Sequence, residues 1–177
     1  MKKKLIIIAV LLILTIIGIN MYNSQKTIWF AGANELDCKI ERVEKSLNNL
    51  GEYFVGIIGK MPSMTKVELV EQGDNFVTLQ TNEGLMKRTN ISKKVEGEII
   101  VLEFDEEYQA GNTITTTSHF KDEFEKSNNI VIHRITISNL KATGIMGFFY
   151  RNFGSSSIGK AFLNAHKSFL EKENKED

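Results

Sequence analysis

The run from Leu5 to Ile19, LIIIAVLLILTIIGI, follows Lys2, Lys3 and Lys4 directly and interrupts its aliphatic residues only with Thr15 and Gly18. A segment this apolar has no polar side to turn toward water, so the chain needs either a bilayer for it or its removal. With Met21 and Tyr22 the stretch reaches about 18 residues, near the lower limit for a helix that crosses a hydrocarbon core of roughly 30 Å. Three lysines on the short flank place the N-terminus in the cytoplasm. Residues 1–22 therefore read as an uncleaved transmembrane anchor, and 23–36 as a juxtamembrane linker whose Trp29 and Phe30 supply interfacial aromatics. The remainder would lie outside the cytoplasmic face of the cell membrane. The alternative is a secreted protein cleaved near Ala33, because Ala31-Gly32-Ala33 has the small-x-small form of a cleavage site. That site lies about a dozen residues beyond the apolar run, whereas cleavage normally follows such a run closely. A lipoprotein is disfavoured, since acidic Glu35 and Asp37 precede Cys38.

Charge and cysteine content narrow the remaining classes. The chain has 22 basic and 22 acidic residues, so no basic field exists to attract nucleic acid. Beyond the linker about 140 residues remain, enough for one domain with one core. The lone Cys38 cannot form an internal disulfide and reads as a small, partly buried free thiol. No CxxC or HExxH spacing is present, so no metal and no cofactor is expected. His119 and His166 read as surface residues.

Periodicity divides the domain into elements. Asp37–Lys45 reads as a first strand, and Ser46 as the N-cap of a short helix or helix pair carrying Leu47, Leu50, Phe54 and Ile57 or Ile58 at helical spacing. Met61-Pro62-Ser63 closes that helical stretch. Turn signals at Gly73-Asp74, Glu83-Gly84, Glu96-Gly97 and Asn128-Asn129 then separate segments rich in Val, Ile, Thr and Phe, the pattern of an antiparallel meander. Its strands are expected at 64–72, 75–82, 85–95, 98–108, 113–126 and 130–139. After Thr143-Gly144 the period becomes helical, with Met146, Phe149, Phe153, Ala161, Ala165 and Phe169 on one stripe. Gly154 and Ser155 to Ser157 are positions for a kink or break, and 173–177 form a polar tail.

The segment Val43-Glu44-Lys45-Ser46-Leu47 entering a helix, the Lys60-Met61-Pro62 exit, and Gly144-Ile145-Met146-Gly147-Phe148-Phe149 leading into the last helix carry a resemblance. In this order of elements, residues 37–172 resemble the START-like superfamily, also called SRPBCC or polyketide cyclase/dehydrase-like. The resemblance implies an α+β helix-grip fold, in which a curved antiparallel sheet of about seven strands wraps a long C-terminal helix around a cavity for lipids, polyketides or other apolar ligands. Plant members carry a glycine-rich loop between early strands. Here that turn is Glu71-Gln72-Gly73-Asp74, with a single glycine, so nothing is carried over from that loop.

Two-residue turns fix strand register, and one inward strand then determines the others. On the 113–126 strand the even residues Thr116, Ser118, Phe120, Asp122 and Phe124 are the core set, and across the Asn128-Asn129 turn they match His133 and Ile135. Counted through the other turns, the inner face gains Leu102 and Phe104, then Lys87 and Thr89, then Phe76, Thr78 and Gln80. Polar groups interspersed with aromatics on an inner face are what a ligand cavity needs. The expected lining is thus Phe76, Thr78, Thr89, Leu102, Phe104, Thr116, Ser118, Phe120, His133 and Ile135, with Phe149 and Phe153 from the helix. Lys87 and Glu106 would pair across strands at the cavity mouth. Asp122, diagonal to His133, is placed to orient its imidazole, so these two are the candidates for acid/base catalysis.

The reading that uses both anchor and cavity is membrane-tethered binding of a hydrophobic small molecule or lipid. The alternatives are a cyclase- or dehydratase-like enzyme using Asp122 and His133, and a domain with a filled core that acts through a protein partner.

Overall fold

A computed structural model of the chain describes residues 2–24, 27–111 and 114–171. The elements run α1 (Lys2–Ser24), β1 (Ile28–Leu36), α2 (Ile40–Ser46), α3 (Leu50–Ile58), β2 (Val67–Gln72), β3 (Val77–Thr81), β4 (Gly84–Glu96), β5 (Ile99–Ala110), β6 (Ile114–Ser127), β7 (Ile130–Ala142), α4 (Gly144–Phe153) and α5 (Ser155–Leu170). The seven strands make one antiparallel sheet in the order β1-β7-β6-β5-β4-β3-β2. With the C-terminal helix lying in its hollow, this is the helix-grip fold. The polar tail 173–177, Lys172 and Thr113 lie outside the described residues.

The first strand falls earlier than the sequence reading placed it. Residues 28–36, expected as linker, pair with β7 from Ile28↔Ser138 to Leu36↔Val131. Alternation turns Phe30, Gly32, Asn34 and Leu36 toward α5, and Leu36 is fully buried. The expected strand at Asp37–Lys45 is instead a bend followed by α2. Nor is Ser46 the cap: Asn49 precedes α3, and its side chain accepts from the Glu52 amide at 3.3 Å.

The meander from β2 to β7 follows the expected turns, and one irregularity rearranges its inner face. Near the β4–β5 turn, where Gly97 adopts φ 64, Glu96 pairs with Ile99 and Lys93 with Leu102. Beyond it the register shifts between Thr89 and Ser92, with Asn90 at φ 54. A bulge places an extra residue on one strand, and alternation reverses past it. Met86 and Arg88 therefore face inward, and the reversal passes to β3, where Val77, Leu79 and Thr81 are buried. Thr78, Lys87 and Thr89, and with them Phe76 and Gln80, belong to the opposite parity, so they line no inner cavity. Strands β5 and β6 keep their expected faces, and β7 does so as far as Ser138, past which a second register shift, with Asn139 at φ 54, reverses it.

The C-terminal helix is two helices. Gly154 serves as C-cap of α4 and N-cap of α5, so the break falls at the glycine-serine stretch. Helix α5 packs Phe162, Leu163, Ala165, His166 and Leu170 into the sheet. Gly159 lets it approach β1, because a Cβ there would lie 2.2 Å from the Phe30 ring. On α4, Phe149 and Phe153 are 51% and 61% exposed, which removes them from the expected cavity lining and from the buried stripe.

Helix α1 exposes Leu5, Ile6, Ile7, Ile8, Val10 and most of the apolar residues up to Ile17. Among the described residues no helix is long and apolar enough to cross a membrane.

Candidate functional site

Much of the inner face is occupied by stacked rings. Phe54 meets Phe104 edge-on at 5.1 Å, Phe104 stacks on Phe120 at 5.0 Å, and Phe120 meets Phe162 of α5 at 5.1 Å. Leu102, Phe104, Phe120 and Ile135, expected to surround ligand, are at most 2% exposed and pack as core. The third sequence alternative, a filled core, describes this part of the sheet.

Polar groups concentrate at two places. Toward α4, Glu106 pairs in register with Ser118, and Tyr108 with Thr116. Glu106 receives the Arg88 guanidinium, with Nη2 at 2.7 Å and Nε at 3.0 Å from Oε2, and both side chains are buried. Arg88, a residue the sequence reading turned outward, thus replaces Lys87 as the partner of Glu106. The cover is α4, which packs on β6 and β7 and carries Tyr150. Trp29 stacks on Tyr150 at 5.3 Å and donates its indole N–H to the Arg151 carbonyl at 2.8 Å. Burial, then the charges of Glu106 and Tyr108, push the Tyr150 hydroxyl well above the usual tyrosine range. Burial chiefly pushes Tyr108 up to about 12. Both phenols stay neutral near pH 7, and the Tyr108 O–H donates to Glu83 Oε2 at 3.0 Å.

The second place joins β6, β7 and α5. His133 Nε2 lies 2.8 Å from Asp122 Oδ1, and His166 Nε2 lies 3.7 Å from the same oxygen. All three residues are at most 3% exposed, so His166 is a core residue and not a surface one. Its position was readable: Phe162, His166 and Phe169 share a helical face. Burial holds the His166 imidazole down at about 4. Burial alone would raise the Asp122 carboxyl, but the charge of His166 and the hydrogen bond with His133 outweigh it and lower the group. Phe124 stacks on His133 at 4.7 Å, and Tyr53 meets His166 edge-on at 6.1 Å. A substrate has no approach to groups shielded in this way, and that counts against Asp122 and His133 as an acid/base pair acting on one. The three ligand atoms lie within 4.8 Å of one another, a grouping that residues so far apart in sequence do not advertise.

On the opposite side of the sheet a recess of about 340 Å³ is lined by Thr89, Asp105, Glu107, Thr117, His119 and Lys141, among others. There the Asn90 amide donates to Asp105 at 2.8 Å and His119 Nδ1 lies 2.9 Å from the same carboxylate. The Asn90 bond, followed by that of His119, holds the Asp105 carboxyl below its usual value.

Known structures share the fold at low sequence identity. A conserved protein from Geobacillus kaustophilus aligns with a TM-score of 0.57 at 13% identity, covering 81% of this chain and 92% of that one. A STAR-related lipid transfer protein from Xanthomonas axonopodis aligns with a TM-score of 0.52 at 13% identity, over 79% and 84% of the two chains. A hypothetical protein from Helicobacter pylori gives 0.51 at 14% identity, over 80% and 82%. The chain therefore has the START-like, or SRPBCC, fold. No protein-family model matches it, and no curated protein matches it in sequence.

Proposed function

We propose that the domain binds a hydrophobic small molecule or lipid between the sheet and α4, close to a membrane in which α1 is embedded. The observation that carries the reading is the composition of the wall under α4. The hydroxyls of Thr116 and Ser118 and the neutral phenol of Tyr150 are set among apolar side chains there, beside the buried Arg88–Glu106 pair. Placed polar groups in an apolar wall fit a ligand that has a polar end and an apolar body. The cover over them is separate from α5, since the chain breaks at Gly154. Movement of α4 about that break would admit ligand without disturbing the α5 packing. The likeness in fold to a STAR-related lipid transfer protein favours the same ligand class.

The membrane half of the proposal rests on α1. Its apolar residues are distributed around the whole helix, and so many exposed leucines and isoleucines are unfavourable in water. Helix α1 lies against α4, whose exposed Phe149 and Phe153 would then meet the headgroup region. With α1 embedded, the three-lysine flank would favour a cytoplasmic N-terminus and an extracytoplasmic domain.

Binding is tested with purified protein, an apolar fluorescent probe and a competing lipid extract. The expected result is saturable uptake that Thr116→Phe or Ser118→Phe abolishes while the protein stays folded. No uptake by the wild type, together with a loss of about 1 to 3 kcal/mol in the Phe variants, would indicate a packed core in place of a site. Topology is tested separately: protease added outside intact cells should digest the domain and leave α1 protected.

A further inference from the structure

We propose that Asp122, His133 and His166 form a site for one divalent transition-metal ion of the zinc class, which ties α5 to β6 and β7. The inference is independent of the ligand-binding proposal and starts from the hydrogen bonds on the far sides of the two imidazoles. The Asn34 amide has a fixed orientation, because its Nδ2 donates to the Leu163 carbonyl at 2.9 Å. Its Oδ1 is therefore the atom that faces His133 Nδ1, at 3.2 Å. An amide oxygen only accepts, so His133 Nδ1 carries a hydrogen. His166 Nδ1 lies 2.8 Å from the Phe162 carbonyl oxygen, and the same reasoning gives it a hydrogen.

A neutral imidazole has one N–H. With Nδ1 protonated in both rings, both Nε2 atoms present lone pairs, and both are close to Asp122 Oδ1, at 2.8 Å and 3.7 Å. Two lone pairs and a carboxylate oxygen thus converge in a buried space with no donor among them. Such a grouping is repulsive unless a cation sits within it.

A metal ion satisfies every part of this arrangement. Metal-bound histidines commonly donate their other ring N–H to a carbonyl, which fixes the tautomer, as Asn34 and Phe162 do here. Two imidazole nitrogens and one carboxylate oxygen suit zinc, cobalt or nickel, whereas magnesium and calcium prefer all-oxygen sets. Ligand atoms about 2.0 to 2.2 Å from a tetrahedral ion lie roughly 3.4 Å from one another. The separations of 2.8 Å and 3.7 Å bracket that value. A second observation lies beside the cluster: the Tyr53 ring meets that of His166 edge-on at 6.1 Å, and its buried hydroxyl has no hydrogen-bond partner.

The competing cation is a proton on His133. It would make one hydrogen bond along the 2.8 Å line, with His166 Nε2 still 3.7 Å from Asp122 Oδ1 and the Tyr53 hydroxyl without a partner.

The test uses the untagged full-length protein in detergent, stripped with a chelator and titrated with Zn2+ or Co2+. Expected results are about one metal per chain by elemental analysis, a rise in Tm with Zn2+, and visible d–d bands with Co2+. His166→Leu should weaken metal binding by ~10-fold or more. His119→Ala, on the opposite side of the sheet, should leave it unchanged. If His166→Leu fails to fold, the cobalt spectrum of the wild type still decides. A folded wild-type protein that takes up neither ion and keeps the same Tm would overturn the assignment in favour of the protonated His133.

Discussion

The Arg88 guanidinium lies 2.7 Å from Glu106 Oε2 while its central carbon sits 4.2 Å from the Phe54 ring centre and 4.7 Å from that of Phe104. A cation held between two aromatic faces and a carboxylate is well satisfied, but either charge alone in that slot would not be. Glu106→Ala should therefore destabilise by about 3 to 5 kcal/mol in urea unfolding, because it strands a buried guanidinium. The double variant Arg88→Met with Glu106→Leu should recover much of that loss. If the single variant proves as stable as wild type, the pair is open to water and the wall under α4 is more solvated than its burial indicates.

Asn90 sets the parity of β3 and half of β4 from a left-handed conformation, φ 54. Asn90→Gly should be tolerated within a few tenths of a kcal/mol beyond its lost hydrogen bond, whereas Asn90→Val should cost about 1 to 2 kcal/mol from the left-handed backbone alone. Glycine also removes the bond that lowers the Asp105 carboxyl. A folded-state pKa below the unfolded one contributes stability above the unfolded value, and that stability is lost as pH falls through the folded value. The Tm gap between wild type and Asn90→Gly should accordingly narrow on acidification below about pH 4. A gap that stays constant would mean the Asn90–Asp105 bond has no part in it.

How much of this was readable in the sequence follows the same bulge. Between Ile99 and Ser138, turn residues and alternation sufficed, because the Asn128-Asn129 loop is a true two-residue turn and β5, β6 and β7 keep one parity as far as the second register shift, between Thr117 and His119. Upstream, one extra residue at Asn90 turned Arg88 in and Lys87, Thr89 and Thr78 out, and counting registers from turns cannot see an insertion within a strand. An asparagine among alternating residues was the available signal, since it tolerates left-handed backbone. Strand β1 was missed for a different reason. Its inward positions include Gly32 and Asn34, whose small or polar side chains hide the alternation, and each is there to meet α5. The buried cluster was legible in parts: Asp122 and His133 follow from register and His166 shares a helical face with Phe162 and Phe169, whereas the meeting of His166 with the other two follows only from the docking of α5.

Cys38 offers a check on the α2 end of the core. It is 2% exposed, and burial, offset in part by Arg42, pushes its thiol up to about 11. The thiolate is the reactive form, so native protein at pH 8 should react with a disulfide reagent far more slowly than a free thiol with a pKa near 8.5. Full reaction should appear only in denaturant. Fast labelling of the native state would place Cys38 at the surface and the turn before α2 with it.

The last prediction separates packing from surface on the two C-terminal helices. A stripe that ran unbroken from Phe149 to Phe169 would make Phe153→Ala cost about 3 to 5 kcal/mol. The break at Gly154 instead leaves Phe153 61% exposed, while Phe162 on α5 is 5% exposed and meets Phe120 edge-on. Phe162→Ala should therefore carry the large loss and Phe153→Ala should fall within about 0.5 kcal/mol. The two outcomes are read from one pair of denaturation curves. If α4 rests on a bilayer, Phe149→Ser with Phe153→Ser should also make the α4 aromatics of membrane-embedded protein less protected from an aqueous quencher, with stability unchanged. A large stability loss from that double variant would mean that these rings pack against protein, and the headgroup contact would have to be abandoned.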